Sequence, residues 1–270
     1  MKTTDKLKNK FKDQLFISVG LDTDIRKIPN HLLSGNNPVL NFNKTIIENT
    51  YEKAAAYKIN FAFYERNGAE GIKTLEDTLK YIPGNLTIIA DAKRGDIGNT
   101  AEMYAKAIFD QFNCDAVTLH PYMGFDSIKP FLNYSDKLSY ILGLTSNAGA
   151  ADFEKLKLAN GKFLYQEVID KIIEWNKFNN LGVVFGATNL EELNQNLEKL
   201  KNLPVLLPGI GAQGGNLEEI IRLFKINKIS DFLINISRGL IYADNSIDFG
   251  KKISEKLDEF NNRIQNILNN

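Results

Sequence analysis

Short runs of β-branched and aliphatic residues alternate with amphipathic polar stretches from one end of the chain to the other, and this rhythm constrains the fold more than any single motif. Strand-like runs fall at Phe16–Asp22, Ala56–Phe61, Leu86–Lys93, Ala116–His120, Leu138–Leu144, Gly182–Gly186, Pro204–Pro208 and Phe232–Ser237. Helical patterns separate them, and a last helix is expected near Ile247–Ile267. Eight such runs in 270 residues predict an α/β fold, a (β/α)8 TIM barrel with a single domain spanning residues 1–270, since such barrels average about 250 residues. An open doubly wound sheet shares the alternation and differs in strand order, which periodicity does not report. The first strand-to-helix segment reads GLDTDIRKIPN and lacks G-x-G-x-x-G, which argues against a dinucleotide-binding sheet.

Composition narrows the partners. Lysine plus arginine total 33 and aspartate plus glutamate also 33, so no global field draws the chain to nucleic acid or to an anionic membrane. A hydrophobic content of 43% excludes disorder as a main theme. No run approaches the roughly 18 apolar residues a membrane helix needs. The start, MKTTDKLKNKFKDQLF, has no apolar leader core, and the lone Cys114 has no disulfide partner, so a cytoplasmic location is expected. Two histidines and one cysteine leave little for a zinc site, while an oxygen-ligated Mg²⁺ stays open.

Strand side chains alternate faces, so Ile17, Val19 and Leu21 are expected toward the helices and Ser18, Gly20 and Asp22 toward the barrel axis. The same alternation sends Tyr57, Ile59 and Phe61 outward and Ala56, Lys58 and Asn60 inward, and puts Ile89, Asp91 and Lys93 on one inner face. Four charges, Asp22, Lys58, Asp91 and Lys93, thus converge at the strand ends where barrel enzymes do chemistry. Ion pairs that close the core are the bland alternative, but burying charges costs several kcal/mol each, and apolar residues would close a core at less cost.

The stretch DAKRGDIGNTAEMYAKAIF places Gly95 where a tight turn is expected, Asp96 just before a helix starting near Ile97, and Thr100 in its first turn. Asp96 has a plain reading as the helix cap. The segments LLPGIGAQGG after the seventh strand and NISRGL after the eighth bring Gln213 and Arg238 to glycine-rich turns, a pattern that suits an anion such as phosphate. His120 reads as a strand-end histidine before a proline turn, Cys114 as a small buried residue and Trp175 as core. The segment 147–161 is expected to be a long loop carrying function.

At these residues the chain resembles the orotidine 5′-monophosphate decarboxylase family, in its longer bacterial subgroup. The matching segments run in order along nearly the whole chain: SVGLD, KINFAFYE, DAKRGDIGNT, VTLHPYMG, LTSNAGAADF, VVFGAT, LLPGIGAQGG and SRGLIYA. The resemblance implies decarboxylation of orotidine 5′-monophosphate to uridine 5′-monophosphate in pyrimidine biosynthesis, with no cofactor or metal. It implies that Asp22 and Lys58 hold ribose hydroxyls and the charge network, that Asp91 lies beside the substrate carboxylate, and that Lys93 protonates C6. It also implies a homodimer in which Asp96, Ile97 and Thr100 reach the partner's site. Ser146 would read the pyrimidine, and Pro208, Gln213, Arg238 and Gly239 would hold the phosphate side. His120 and Ala148 depart from the residues common in the subgroup. Lys93, between Asp91 and Asp96, is expected to stay protonated. Two other readings stay open: a metal-dependent sugar-phosphate decarboxylase or aldolase, which carries an acidic ligand where Lys58 stands, and a non-catalytic binder of phosphorylated nucleotides.

Overall fold

In the computed structural model, which describes residues 1–210 and 214–270, the eight runs become eight parallel strands. They are β1 (Ile17–Gly20), β2 (Ala56–Asn60), β3 (Thr87–Arg94), β4 (Ala116–Leu119), β5 (Leu138–Leu144), β6 (Leu181–Phe185), β7 (Val205–Pro208) and β8 (Phe232–Ile236). Each pairs with its sequence neighbour, and β8 returns to β1 with Ser18 opposite Asn235, so the sheet closes in the order β1 to β8. Closure excludes the open doubly wound alternative. No helix among the described residues is long and apolar enough to cross a membrane.

Alternation sorts the side chains into two cores. Ile17, Val19, Leu21, Tyr57, Ile59 and Phe61 belong to the larger cluster between barrel and helices. Ala56, Ile89, Ala116, Leu138, Tyr140, Val184, Leu206 and Leu233 form the smaller cluster inside the barrel. The N-terminal segment, unassigned from sequence, forms the helix α1 (Thr3–Lys12), whose Leu7 is buried in the inner cluster with Phe11 and Leu15 packed against it. α1 therefore stoppers the N-terminal end of the barrel. The final helix runs Phe249–Asn269, two residues later than expected at each end. Cys114 is buried as expected, and burial pushes its thiol up to about 12, which makes it a poor nucleophile.

Candidate active site

At the C-terminal ends of the strands lies a cavity of about 290 Å³. Asp22, Lys58, Asn60, Asp91, Lys93 and Thr118 line one side, Thr145, Ser146 and Asn147 another, and Pro208, Gly209, Asn235, Ser237, Arg238 and Gly239 the third. The structure thus brings together nine of the residues singled out from sequence: Asp22, Lys58, Asp91, Lys93, Ser146, Pro208, Arg238 and Gly239 as named roles, and Asn60 by its inward face. Gln213 lies outside the described residues.

Asp91 is the hub. Its Oδ2 accepts from Lys58 Nζ at 2.6 Å, and its Oδ1 accepts from Lys93 Nζ at 2.5 Å and from Thr118 Oγ1 at 3.0 Å. Asp22 Oδ1 lies 3.8 Å from Lys58 Nζ, which sits between the two carboxylates. Burial works against the charged form of Asp91, but Lys58 and Lys93 outweigh it and hold the carboxyl well below the usual range. Burial opposes the Lys58 ammonium as well, and Asp91 and Asp22 outweigh it in turn, so this lysine stays charged. Lys58 and Asp91 are nearly buried, whereas the Lys93 side chain is 49% exposed toward the cavity.

Lys93 has a left-handed backbone, φ 45°, at a register shift between β3 and β4. Its N–H donates to Thr118 Oγ1 at 3.1 Å, so the hydroxyl that bonds Asp91 also pins the bulge. Strained backbone of this kind persists only where surrounding contacts hold it, and a bulge re-aims the side chain it carries.

Within the chain Asp96 Oδ1 accepts from the Ile97 N–H at 2.8 Å, and Asp91 is the one carboxylate paired with Lys93 among the described residues. Two expectations around this segment are corrected. The helix begins at Gly98 with no side-chain cap, so Asp96 is not its cap. Gly95 has no left-handed φ; a Cβ there would lie 2.3 Å from the His120 ring, so any other residue would have to displace that histidine. Asp96, Ile97 and Thr100 stand outside the cavity, and Ile97 and Thr100 are exposed.

Sequence reasoning missed several groups. Glu154, far along the 147–161 stretch, accepts from the Thr145 N–H at 2.6 Å and from Thr145 Oγ1 at 2.8 Å, which staples the loop that presents Ser146 and Asn147. Its position nine residues after Thr145 is a local signal that was available. Asn235 and Ser237 were also passed over, although inward alternation along β8 points to Asn235. Arg238 makes no hydrogen bond or ion pair with the described residues and opens the one-turn helix Arg238–Ile241, whose first N–H groups have no intrahelical acceptor.

A closed barrel with ion-paired lysines and carboxylates at the C-terminal rim, opposite an arginine and glycine turns, defines a barrel enzyme acting on a small anionic substrate. Residues 18–253 match the orotidine 5′-phosphate decarboxylase / HUMPS family, and the chain belongs to that family. An orotidine 5′-phosphate decarboxylase of Christiangramia forsetii is 45% identical over 260 residues, covering 95% of each chain. One of Porphyromonas gingivalis is 46% identical over 240 residues, covering 88% of this chain and 87% of that one. Among solved structures, Leishmania donovani OMP decarboxylase superposes with TM-score 0.80 at 34% identity over 97% of this chain and 99% of its own. The UMP synthase of the same organism gives TM-score 0.83 at 35% identity, and there this chain, 97% covered, spans 57% of the larger one.

Proposed function

We propose that the chain decarboxylates orotidine 5′-monophosphate to uridine 5′-monophosphate without a cofactor, with Lys93 stabilising and then protonating C6. The observation that carries this reading is the Lys93 ammonium, 2.5 Å from Asp91 and facing the cavity from a fixed bulge. When the bond from C6 to the carboxylate carbon breaks, its electron pair stays on C6 and CO₂ departs. No conjugated sink receives that pair, so stabilisation has to be electrostatic. A cation at about 4 Å in an effective dielectric near 20 contributes on the order of 4 kcal/mol gross, before desolvation is subtracted. Lys93 Nζ then transfers a proton to C6, giving the uridine nucleotide, and is reprotonated from water.

The remaining roles in this reading are those that the family resemblance implies. Asp22 and Lys58 take the ribose side, Asp91 faces the departing carboxylate, and Ser146 reads the pyrimidine. Pro208, Gln213, Arg238 and Gly239 take the phosphate. Binding energy at that remote group is available to close the site and lower the barrier. The metal-dependent alternative is disfavoured by Lys58, whose ammonium already occupies the space between Asp22 and Asp91 where a cation would be ligated.

The functional unit in this reading is a homodimer of single-domain barrels, residues 1–270, in the cytoplasm. Its support is a set of exposed apolar side chains in the segments that follow β3, β4 and β5. Ile97 and Met103 are more than half exposed, and Tyr122 and Phe153 stand beside one another at a ring distance of 6.4 Å while 82% and 60% exposed. Exposed apolar side chains of this kind suit an interface, and a partner there would receive Asp96, Ile97 and Thr100. Loss of orotidine 5′-monophosphate absorbance in buffer containing EDTA tests the reaction. Rapid conversion is expected, and a folded protein that is inactive or needs added Mg²⁺ would return the sugar-phosphate reading. Light scattering at assay concentration tests the dimer; a fully active monomer refutes shared sites.

A further inference from the structure

Asp22 is oriented by a side chain from the far end of the chain. β8 ends at Ile236, and Ser237 leads directly into the turn that begins with Arg238. Ser237 Oγ donates to Asp22 Oδ2 at 2.8 Å and lies 3.2 Å from the Gly20 carbonyl, across the seam where β8 meets β1. The other oxygen, Asp22 Oδ1, is buried without a hydrogen-bond partner among the described residues. A carboxylate tethered by one oxygen holds the other in a fixed direction, here toward Lys58, within a side chain that lines the cavity.

Two further features show that the tether is built into the seam. A Cβ on Gly20 would lie 2.6 Å from Ser237 Cβ, so the glycine at that inward position is what admits the serine. Four residues beyond Arg238, Tyr242 donates to the Asp22 carbonyl at 3.2 Å and accepts from the Asp24 N–H at 2.7 Å. The segment carrying Arg238 therefore grips the end of β1 at both the side chain and the backbone of Asp22.

We propose that Ser237 is a positioning residue for this reaction: its hydroxyl fixes the Asp22 carboxylate where that side chain lines the cavity, at a set spacing from the anion-binding turn at Arg238. The inference rests on the reading of Asp22 as a substrate-contacting group. A double-mutant cycle tests it. Steady-state kcat/KM is measured for the native protein, Ser237→Ala, Asp22→Ala and the double variant, with a melting curve for each. Ser237→Ala alone is expected to lose roughly 10-fold in kcat/KM, the scale of one hydrogen bond to a charged group, at a nearly unchanged melting temperature. In the Asp22→Ala background the same change is expected to cost less than about 2-fold, because the group it acts through is gone. Ser237→Cys, which keeps bulk but donates weakly, should resemble Ser237→Ala in the native background. An equal loss in both backgrounds, or full activity in Ser237→Ala, overturns the proposal while leaving Asp22 in the site. Full activity in Asp22→Ala overturns it from the other side, by removing the reading beneath it.

Discussion

The two ends of the barrel carry the same kind of ion pair in opposite circumstances. At the N-terminal end Lys6 Nζ lies 2.8 Å from Asp115 Oδ1, the Ile88 N–H donates to Asp115 Oδ2 at 2.9 Å, and Thr3 Oγ1 donates to the Asp115 carbonyl at 2.9 Å. Each carboxylate oxygen there has a partner, and Leu7, Phe11 and Leu15 close the barrel beside it as an apolar stopper. At the C-terminal end Lys58, Asp91 and Lys93 are paired just as closely, yet they line a cavity, and Arg238 across it makes no hydrogen bond or ion pair with the described residues. Lys93 also holds a left-handed backbone. The difference separates structural charge from working charge: a satisfied pair under an apolar stopper closes a barrel, whereas charged groups that line a cavity are placed for a substrate.

Substitutions at the two ends should therefore part company. Lys93→Ala is expected to lower kcat by about 10³-fold or more, since it removes both the electrostatic partner of C6 and the proton donor, while the melting temperature stays near native. Near-native turnover would end the central role of this lysine. Arg238→Ala is expected to raise KM roughly 10- to 100-fold, with kcat/KM falling at least as far, because an unpaired guanidinium loses a charge-assisted contact with phosphate. An unchanged KM would move the phosphate elsewhere in the cavity. Lys6→Met at the closed end is expected to reverse the pattern: stability drops by about 1–3 kcal/mol in denaturant titrations and kcat does not change, because one partner of a largely buried pair is left behind. A loss of kcat there, at full folding, would mean the ends communicate.

What was legible in the sequence, and what was not, follows the range of the interactions. Two-residue alternation in KIN and DAK is local, so the inward placement of Lys58, Asn60, Asp91 and Lys93 could be read before any fold was known. The closed end was illegible because α1 offers few apolar positions, and its anchor Asp115 lies 109 residues from Lys6. Ser237 was hidden in the same way, 215 residues from Asp22. The left-handed backbone of Lys93 depends on the β3–β4 register, and the space for a side chain at position 95 depends on where the His120 ring falls. The outward placement of Asp96 was implied by family likeness alone, since spacing in one chain says nothing about a second copy.

The smallest expected effect is a change of slope, and it sharpens the contrast between the ends most finely. Asp91 has a folded pKa held well below its unfolded value of about 3.9, so between the two values the unfolded chain binds the extra proton. Stability contributed by Asp91 therefore rises with pH through that interval, is complete above about pH 5, and is lost as acid carries the solution down through the folded value. Lys58 mirrors it: its folded pKa lies above the ordinary lysine value, so its contribution is complete below about pH 9 and disappears as pH climbs through the raised value. The pair thus contributes across the neutral range and fails at both extremes. Denaturant unfolding measured from pH 2 to 5 should give a steeper rise of stability with pH in the native protein than in Asp91→Asn, which has no proton to exchange there. Equal slopes would mean that Lys58 and Lys93 do not hold the Asp91 carboxylate as their distances imply, and the open end would then lose its distinction from the closed one.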